Sequence, residues 1–235
     1  MQFSKSFMLL AALTTGALAL PKSPVKRDDY NTNGFGASTA SSGDDITYKG
    51  NVGSPWGSNI VEVSSGDAAT YKHTIEISGQ NSEAWQIVFW NKYGPDGLMD
   101  GWWGNSALTL TLNPGEIKYV AFDDDTNGGF AAGPGSVPNS GGQWASTWGE
   151  FDFGSTGNTG WSGFDVSAIV AQNTGSTVQG MQMCDKASGV CSTISPDAAV
   201  VDNAYTTAET DIGGIGGNIS GDGQVQLTAV IDYQG

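Results

Sequence analysis

The stretch ALTLTLNPGEIKYVAF, residues 107–122, contains the pattern that decides the fold. Leu108, Leu110 and Leu112 alternate with threonines, and successive side chains of a β-strand point to opposite faces of a sheet. The segment IKYVAF follows after NPGE, a combination that is typical of turns. This stretch therefore predicts two strands separated by a turn, the first with leucines inside and threonines outside.

The same period of two recurs along most of the chain. The segments YKHTIEIS and QVQLTAVIDY place on one face the residues Tyr71, His73, Ile75 and Ile77, and the residues Val225, Leu227, Ala229, Ile231 and Tyr233. Further strand candidates are NIVEV, AWQIVFW, QWASTWGEFDF, FDVSAIVA, VQGMQMC and VCSTI. Turn signals such as GPDG, TNGG and GSTGNTG separate about ten candidates in all. We therefore predict an all-β fold, an antiparallel β-sandwich.

One short helix is predicted in SPDAAVVDNAYTTA, residues 195–208. Ser195 is a suitable N-cap residue, Pro196 fits the first helical position, and Asp197 favours a helix N-terminus.

The start of the chain has the order of a secretory leader. Lys5 precedes an apolar stretch from Phe7 to Leu20 that is too short to span a bilayer, and ALA follows as a cleavage signal. We predict a signal peptide at 1–19, a pro-segment at 20–27 that ends in a dibasic site, a flexible arm at 28–45, and a single β-sandwich domain at 46–235. This organisation predicts a secreted, extracellular protein.

The charge of the chain limits its partners. The formal net charge is −15, and loss of residues 1–27 would make it more negative, because that segment holds four basic residues and no acidic ones. A surface of this charge repels nucleic-acid phosphates and anionic lipid, so neither nucleic acid nor membrane is expected as a partner. No arginine follows Arg27, so bidentate clamps for phosphate or carboxylate are excluded from the mature chain.

The two cysteines, Cys184 and Cys191, flank a polar turn in CDKASGVC. An oxidising compartment favours a disulfide between them, whereas metal binding would need more ligands close by. His73, the single histidine, is far away in sequence and is interpreted as a residue of a half-buried strand face. Asn218 begins the sequon Asn218–Ile219–Ser220 in a glycine-rich segment and is a candidate glycosylation site.

The segment AFDDDTNGG places Asp123, Asp125 and Asn127 at alternate positions before a glycine, as in the first half of a calcium loop. An EF-hand is excluded, because its twelfth position would be Pro134 instead of glutamate. Two alternatives remain: a looser calcium site in a β-loop, and a polar turn whose side chains bond to their own backbone. Calcium is thus the one cofactor that the sequence suggests.

Acidic and aromatic residues share one face of QWASTWGEFDF. An ideal strand places Trp144, Trp148, Glu150 and Asp152 opposite the face of the phenylalanines. Aromatic rings beside carboxylates suit sugars, and Glu150 with Asp165 would supply the acid pair of a glycosidase. The alternative is a buried Trp148 with a bulge at Gly149. In DGWWGN, Trp102 and Trp103 point to opposite sides if extended, so one of them is a further candidate for sugar contact.

Several long blocks together resemble one protein family. YKGNVGSPWGSNIVEV, VFWNKYGPDG, KYVAFDDDTNGGFAAGPGS, ASTWGEFDFG, GWSGFDVSAIVAQN and VDNAYTTAETDIGGIGGN occur in this order. They are similar to blocks of the fungal secreted allergen family typified by the Aspergillus Asp f 4 allergen. The resemblance implies an extracellular protein that binds host IgE, but it does not indicate a biochemical activity.

A second resemblance concerns the order of two strands. WGEFDF followed by FDVSAI is similar to thaumatin-like proteins, in which a Glu-Phe strand precedes an Asp-Val-Ser strand. That resemblance implies a β-sandwich with an acidic cleft formed by Glu150 and Asp165. The chain departs from the pattern in having a single possible disulfide and no cleft arginine.

Three functional hypotheses follow. We favour a secreted, non-enzymatic allergen-type protein that associates with cell-wall glycan. The alternatives are a weak β-glucan hydrolase that uses Glu150 and Asp165, and a calcium-stabilised extracellular module.

Overall fold

The computed structural model describes residues 30–40 and 47–235. The predicted signal peptide (1–19) and pro-segment (20–27) lie outside the described residues. In chain order the strands are β1 (Ile60–Val63), β2 (His73–Gly79), β3 (Trp85–Asn91), β4 (Leu108–Leu112), β5 (Lys118–Phe122), β6 (Thr126–Pro134), β7 (Asn139–Ser140), β8 (Gln143–Trp144), β9 (Trp148–Ser155), β10 (Trp161–Ser167), β11 (Met181–Asp185), β12 (Cys191–Ile194), β13 (Val201–Asp202), β14 (Gly217–Ile219) and β15 (Val225–Ile231).

The strands form two large sheets and one small hairpin. The seven-stranded sheet has the order β1-β5-β2-β15-β11-β12-β13, and the six-stranded sheet has the order β14-β10-β9-β6-β3-β4. Strands β7 and β8 pair only with each other. The all-β sandwich prediction is therefore confirmed. One pair departs from antiparallel order, because β15 runs parallel to β2.

The core lies between the inner faces of the two sheets. Phe122 of the seven-stranded sheet contacts Phe89, Phe151 and Phe153 of the six-stranded sheet, with ring centroids 4.6–5.9 Å apart. The predicted leucine–threonine alternation of β4 is confirmed, since Leu110 and Leu112 are buried and both threonines are exposed. Burial of such alternating side chains from both sheets holds the sandwich together.

A second apolar cluster lies on the outer face of the six-stranded sheet. Its buried members are Val88, Trp90, Ala131, Val137 and Trp148, and the side chains of Trp102, Trp144 and Val170 pack against them. The outer face of this sheet is therefore partly covered by loops instead of being open to solvent.

The predicted helix at residues 195–208 is wrong. Only Pro196–Ala198 forms a single 3₁₀ turn, and Asp197 adopts a φ of 56°, which no right-handed helix contains. The backbone donor of Ser195 bonds to Val200, and that of Tyr205 bonds to Val166 of β10. These two backbone N–H groups therefore bond to a turn and to a strand, and not to carbonyl groups of a helix. The α-helix α1 instead spans Ile169–Thr174, so it begins within the predicted strand FDVSAIVA and ends three residues beyond it.

Strand β6 was not predicted, because its TNGG segment was interpreted as a turn. A Cβ at Gly128 would lie 2.0 Å from the carbonyl oxygen of Trp90, and one at Gly129 would lie 3.0 Å from the Trp90 ring. These glycines do not form a turn. They lie in a central strand, where they leave room for the backbone and ring of Trp90.

Residues 30–40, predicted as part of the flexible arm, lie against the domain. The amide of Asn31 donates to Thr70, and Ala37 forms a β-bridge with Ser54. The ring of Phe35 packs edge-on against Tyr71 with centroids 5.6 Å apart. Among the described residues, no helix has the length and hydrophobicity needed to cross a membrane.

Candidate functional site

The pairing of β9 with β10 places Glu150 directly opposite Asp165. Phe151 and Phe153 lie in the core between the sheets, so the alternation of the strand directs Glu150 and Asp152 to the outer face. The same alternation applies in β10, where Phe164 and Val166 enter the core and Asp165 faces outward. Two acidic side chains on neighbouring strands therefore meet on the outer face.

The carboxyl groups of Glu150 and Asp165 hydrogen-bond to each other. Asp165 is 2% exposed, and Glu150 is half-buried with its Oε2 atom fully enclosed. A hydrogen bond between two carboxyl groups requires a proton on one of them. Burial raises the pKa of Glu150 to about 7, although the bond with Asp165 and the charge of Lys92 both oppose the rise. Burial and the adjacent Glu150 raise the pKa of Asp165 well above its usual range.

Asp152 extends this acidic group along β9. It is 8% exposed, and burial raises its pKa to about 7, helped by the charge of Asp125 and opposed by Lys92 and a hydrogen bond from Ser155. One oxygen of each of three carboxyl groups is buried without a hydrogen-bond partner, namely Glu150 Oε2, Asp152 Oδ1 and Asp165 Oδ1. The outer face thus holds acidic groups that favour their protonated forms.

The contact between Glu150 and Asp165 bears on their candidacy as glycosidase acids. Retaining glycosidases hold their carboxyl groups about 5–5.5 Å apart, and inverting enzymes hold them about 6.5–9.5 Å apart to admit a water molecule. Glu150 and Asp165 face each other on adjacent strands and interact directly. Two carboxyl groups in direct contact can share a proton.

The four candidate tryptophans differ in their exposure to solvent. Trp148 is 6% exposed, and its ring lies 5.0 Å from Trp90 and 6.2 Å from Trp102. Trp144 is half-buried and lies in β8, so it does not continue the face of β9 as an unbroken strand would predict. Trp103 is 45% exposed. Gly149 pairs in regular register, and the register shifts instead where Trp161 faces Ser155 and Gly163 faces Asp152, which places one extra residue in β9.

Polar groups surround the exposed Trp103. The Asp100 carbonyl accepts hydrogen bonds from the Trp103 amide, at 2.8 Å, and from the Asn105 side chain, at 3.3 Å. The Oδ1 atom of Asp100 is enclosed without a hydrogen-bond partner, and burial together with Asp96 raises the pKa of this carboxyl. Trp144 donates its ring N–H to the Asn105 carbonyl at 2.9 Å. We call the surface formed by Asp100, Trp102, Trp103, Asn105 and Trp144 the tryptophan platform.

The carboxyl groups of the predicted calcium ligands Asp123 and Asp125 accept hydrogen bonds from other residues of the protein. Asp125 accepts hydrogen bonds from Tyr48 and Thr156, and Asp123 accepts one from Asn51. Asn127 lies in β6, opposite Asp152 of β9. Within residues 30–40 and 47–235, no group of three or more His, Cys, Asp or Glu side chains is arranged to hold a metal ion. The geometry gives these residues structural hydrogen bonds, and calcium binding stays a prediction.

The remaining candidates have clear positions. Cys184 and Cys191 face each other across the β11–β12 hairpin and form the predicted disulfide. His73 is 1% exposed, more deeply buried than predicted, and its Nε2 atom lies 2.7 Å from Asp124. Asn218, the candidate glycosylation site, is exposed in the edge strand β14.

Two residues near the acidic pair, Lys92 and Tyr205, were not among the predicted site residues. The charge of Lys92 lowers the pKa of Glu150, and the charges of Asp165 and Glu150 raise the pKa of Tyr205. Lys92 continues the period-two pattern of Val88 and Trp90, which was a usable signal. Tyr205 lies in an irregular segment, and no local pattern indicates that it approaches β10.

Comparison with known proteins identifies relatives. A family model described as the Allergen Asp f 4-like domain matches residues 58–231. The chain is 50% identical over 208 residues to the Allergen Asp f 4 of Aspergillus fumigatus. That match covers 88% of this chain and 64% of the relative, so the chain spans less than two thirds of the relative's length.

A solved structure is also similar. The crystal structure of the protein elicitor MoHrip2 from Magnaporthe oryzae matches with a TM-score of 0.41 and 10% identity, covering 68% of this chain and 99% of that protein. The family model accounts for most of the β-sandwich, and the resemblance predicted from the sequence blocks is confirmed. This chain therefore belongs to the family of Allergen Asp f 4-like domains.

Proposed function

We propose that this protein is a secreted, IgE-binding allergen that attaches to cell-wall polysaccharide through the tryptophan platform and does not cleave it. Membership in an allergen family supports the IgE proposal. The disulfide supports secretion, because such bonds persist in oxidising compartments.

The observation that carries the proposal is the exposure of Trp103 next to polar residues. Trp103 is 45% exposed, and the neighbouring Asp100 and Asn105 are half-buried. A flat apolar ring stacks against the apolar face of a sugar, and nearby oxygen and amide groups bond to its hydroxyls. Because Trp102 packs on Trp148, the platform is supported from behind by the buried outer cluster.

The absence of cleavage is proposed from the contact between Glu150 and Asp165. Hydrolysis needs an acid and a second carboxylate at separations that a direct hydrogen bond does not provide. Asp165 is also 2% exposed, which prevents contact with a polysaccharide chain on the surface.

Sedimentation with insoluble β-glucan and chitin tests the proposal. The wild type is expected to sediment with at least one polymer, and Trp103→Ala is expected to lower the affinity by roughly tenfold, because an aromatic stacking contact contributes on the order of 1–3 kcal/mol. Trp161→Ala is the matched control, since Trp161 is 38% exposed but lies in β10 outside the platform. Equal loss in both variants, or no binding to either polymer, would contradict the proposal.

Two further measurements test its other parts. Reducing-sugar release at high protein loading that disappears in Glu150→Gln would show that the protein is a hydrolase instead. Immunoblotting with serum IgE from sensitised patients tests the allergen proposal, and N-terminal sequencing of the exported protein tests cleavage before Asp28.

A further inference from the structure

The segment at residues 203–216, here called the cover segment, lies against β10 beside the point where Glu150 and Asp165 meet. It connects β13 to β14, which belong to different sheets. At Gly216 the segment touches β10 so closely that an added Cβ would lie 2.7 Å from the Asp165 Cβ and 2.2 Å from the Phe164 carbonyl oxygen. A glycine is therefore required where the cover segment meets the acidic pair.

Tyr205 brings the other end of the cover segment to the same place. Its backbone forms a β-bridge with Ser167, and its amide donates to the Val166 carbonyl at 2.8 Å. Its hydroxyl accepts a hydrogen bond from the Ile215 amide at 3.1 Å, which joins the two ends of the segment. Burial raises the pKa of Tyr205, and the nearby charges of Asp165 and Glu150 raise it further.

We propose that the Glu150–Asp165 pair is a proton-dependent latch that keeps the cover segment closed against β10. The shared proton allows two carboxyl groups to lie in contact beneath Gly216 and Tyr205. Loss of that proton leaves two adjacent negative charges in a site with little water. Their repulsion and their need for hydration are relieved when the segment lifts and water enters.

The remaining charged groups around the pair do not replace the proton. Lys92, at the end of β3, lowers the pKa of Glu150 and of Asp152, so one positive charge serves several carboxyl groups. Asp152 of β9 and Asp125 before β6 are both acidic and add negative charge. On the cover segment, Glu209 bonds to Thr206 of the same segment, and Asp211 is exposed.

The cover segment is held by a small number of polar contacts besides the latch. Asn203 bonds to both the amide and the carbonyl of Gly216, at 2.9 and 3.0 Å. Gln172 of α1 accepts from the Thr207 amide at 2.8 Å. Residues 203–216 contain three glycines and no strand. Lifting them breaks the two backbone hydrogen bonds of Tyr205 with Val166 and Ala168 and exposes Ala204, which is buried in the core.

Hydrogen exchange at pH 5 and at pH 9, corrected for the intrinsic effect of pH on exchange, tests the latch. The amides of Tyr205, Ile215 and Gly216 are expected to be protected at pH 5. Their protection should fall on the alkaline side, once the pair loses the proton that it shares, by on the order of tenfold per pH unit, because the closed state must then hold an extra buried charge. The amides of β6 serve as an internal reference and should keep their protection. A parallel loss in β6 would indicate global unfolding and would overturn the proposal.

The variant Glu150→Gln/Asp165→Asn removes both ionisable groups and keeps similar shapes and hydrogen-bonding capacity. Its cover segment is expected to show the same protection at pH 5 and at pH 9. Asp211→Asn is the matched control, because it removes an exposed acid from the segment itself, and it should behave like the wild type. An unchanged pH response in the double variant would overturn the proposal.

A second perturbation keeps the test decisive if the double variant does not fold. Asn203→Ala removes both bonds to Gly216 without touching the carboxyl pair. We expect roughly tenfold weaker protection of Ile215 and Gly216 at pH 5, with the pH response retained. If Asn203→Ala opens the segment and abolishes the pH response, the pair is not the latch.

Discussion

Asp152 is a buried acid beside the Glu150–Asp165 pair, and its pKa of about 7 links folding to pH. The folded protein binds a proton more tightly than the unfolded chain. The stabilisation from this site is therefore complete below about pH 4 and is lost as pH rises through 7. We predict that Asp152→Asn leaves the free energy of unfolding nearly unchanged at pH 4 and raises it by roughly 1–3 kcal/mol at pH 8. Urea denaturation at the two pH values measures the difference.

Asp211→Asn is the control for this prediction, because it removes the same charge from an exposed position. It should change stability by less than about 0.5 kcal/mol at either pH. Destabilisation of Asp152→Asn at pH 8 would show that the ionised carboxylate makes a net favourable contact there.

Asp124 has the opposite electrostatic behaviour. Burial opposes its ionisation, but the hydrogen bond from His73 at 2.7 Å and the contact with Lys72 at 2.9 Å lower its pKa to about 2. This stabilisation is present above about pH 4 and is lost as pH falls towards 2. Asp124→Asn is expected to lower the free energy of unfolding at pH 7 by roughly 1–3 kcal/mol, and the effect should shrink in acid.

Asp222→Asn is the matched control, because Asp222 also contacts Lys72 but its side chain is 61% exposed. Exposed ion pairs contribute about 0–1 kcal/mol, so this variant should change stability less. Denaturation of both variants at pH 7 and pH 3 compares them. An equal effect in the two variants would mean that the buried His73 contact adds nothing.

At the scale of elements, the glycines of β6 are positions where any side chain is too large. Gly128→Ala would place a Cβ 2.0 Å from the backbone carbonyl of Trp90, which no rotation of a side chain relieves. We predict a loss of roughly 1–3 kcal/mol or more in the free energy of unfolding. Gly223→Ala is the control, because a Cβ there has no neighbour within 4 Å and the backbone is not left-handed. Thermal denaturation distinguishes the two, and equal melting temperatures would contradict this account of β6.

The elements that were predicted correctly are those with strong alternation, such as β4 and β15. In β15 every second residue from Val225 to Ile231 is buried. The errors fall where another contact outweighs the local signal. β6 was missed because its glycines permit close packing, and the helix was misplaced because the donors of Ser195 and Tyr205 bond outside a helix.

At the scale of the whole molecule, the titrating groups together predict an acid-stable protein. Glu150 and Asp152 lose stabilisation as pH rises from about 4 through 7, and Asp165, whose pKa is also raised by burial and by Glu150, loses stabilisation in the same direction. Burial lowers the pKa of His73, so its stabilisation is lost as pH falls below about 6.5, and that of Asp124 is lost below about 4. Three buried acids outweigh one histidine. We expect the melting temperature to be highest between about pH 4 and pH 6 and to decline towards pH 8.

The pH dependence of the melting temperature in high salt distinguishes the effect of buried acids from that of surface charge. The net charge of −15 also destabilises the fold above the pI of 4.1, but salt screens repulsion between exposed charges. The decline between pH 6 and pH 8 should therefore persist in about 1 M salt, where the Debye length is near 3 Å. A flat profile in high salt would assign the decline to the surface charge and not to the buried acids.

Part of the candidate site was predictable. Alternation placed Glu150 and Asp152 on the face opposite Phe151, and the order of the WGEFDF and FDVSAI segments brought Glu150 together with Asp165 as candidates. Their hydrogen bond depends on the register of β9 against β10, which no local pattern specifies. Their burial depends on Gly216 and Tyr205, which approach from a segment some 40 residues or more further along the chain.

The sequence by itself determined that this chain forms strands with one apolar face, that it closes a disulfide hairpin, and that it belongs among proteins with the same ordered blocks. These properties follow from local alternation and composition, which act between neighbouring residues. Only the tertiary structure decided that β4 and β5, which flank the turn NPGE, enter different sheets, and that β15 lies parallel to β2. It also decided which carboxyl groups touch, because strand partners and burial depend on contacts between residues that are distant in the chain.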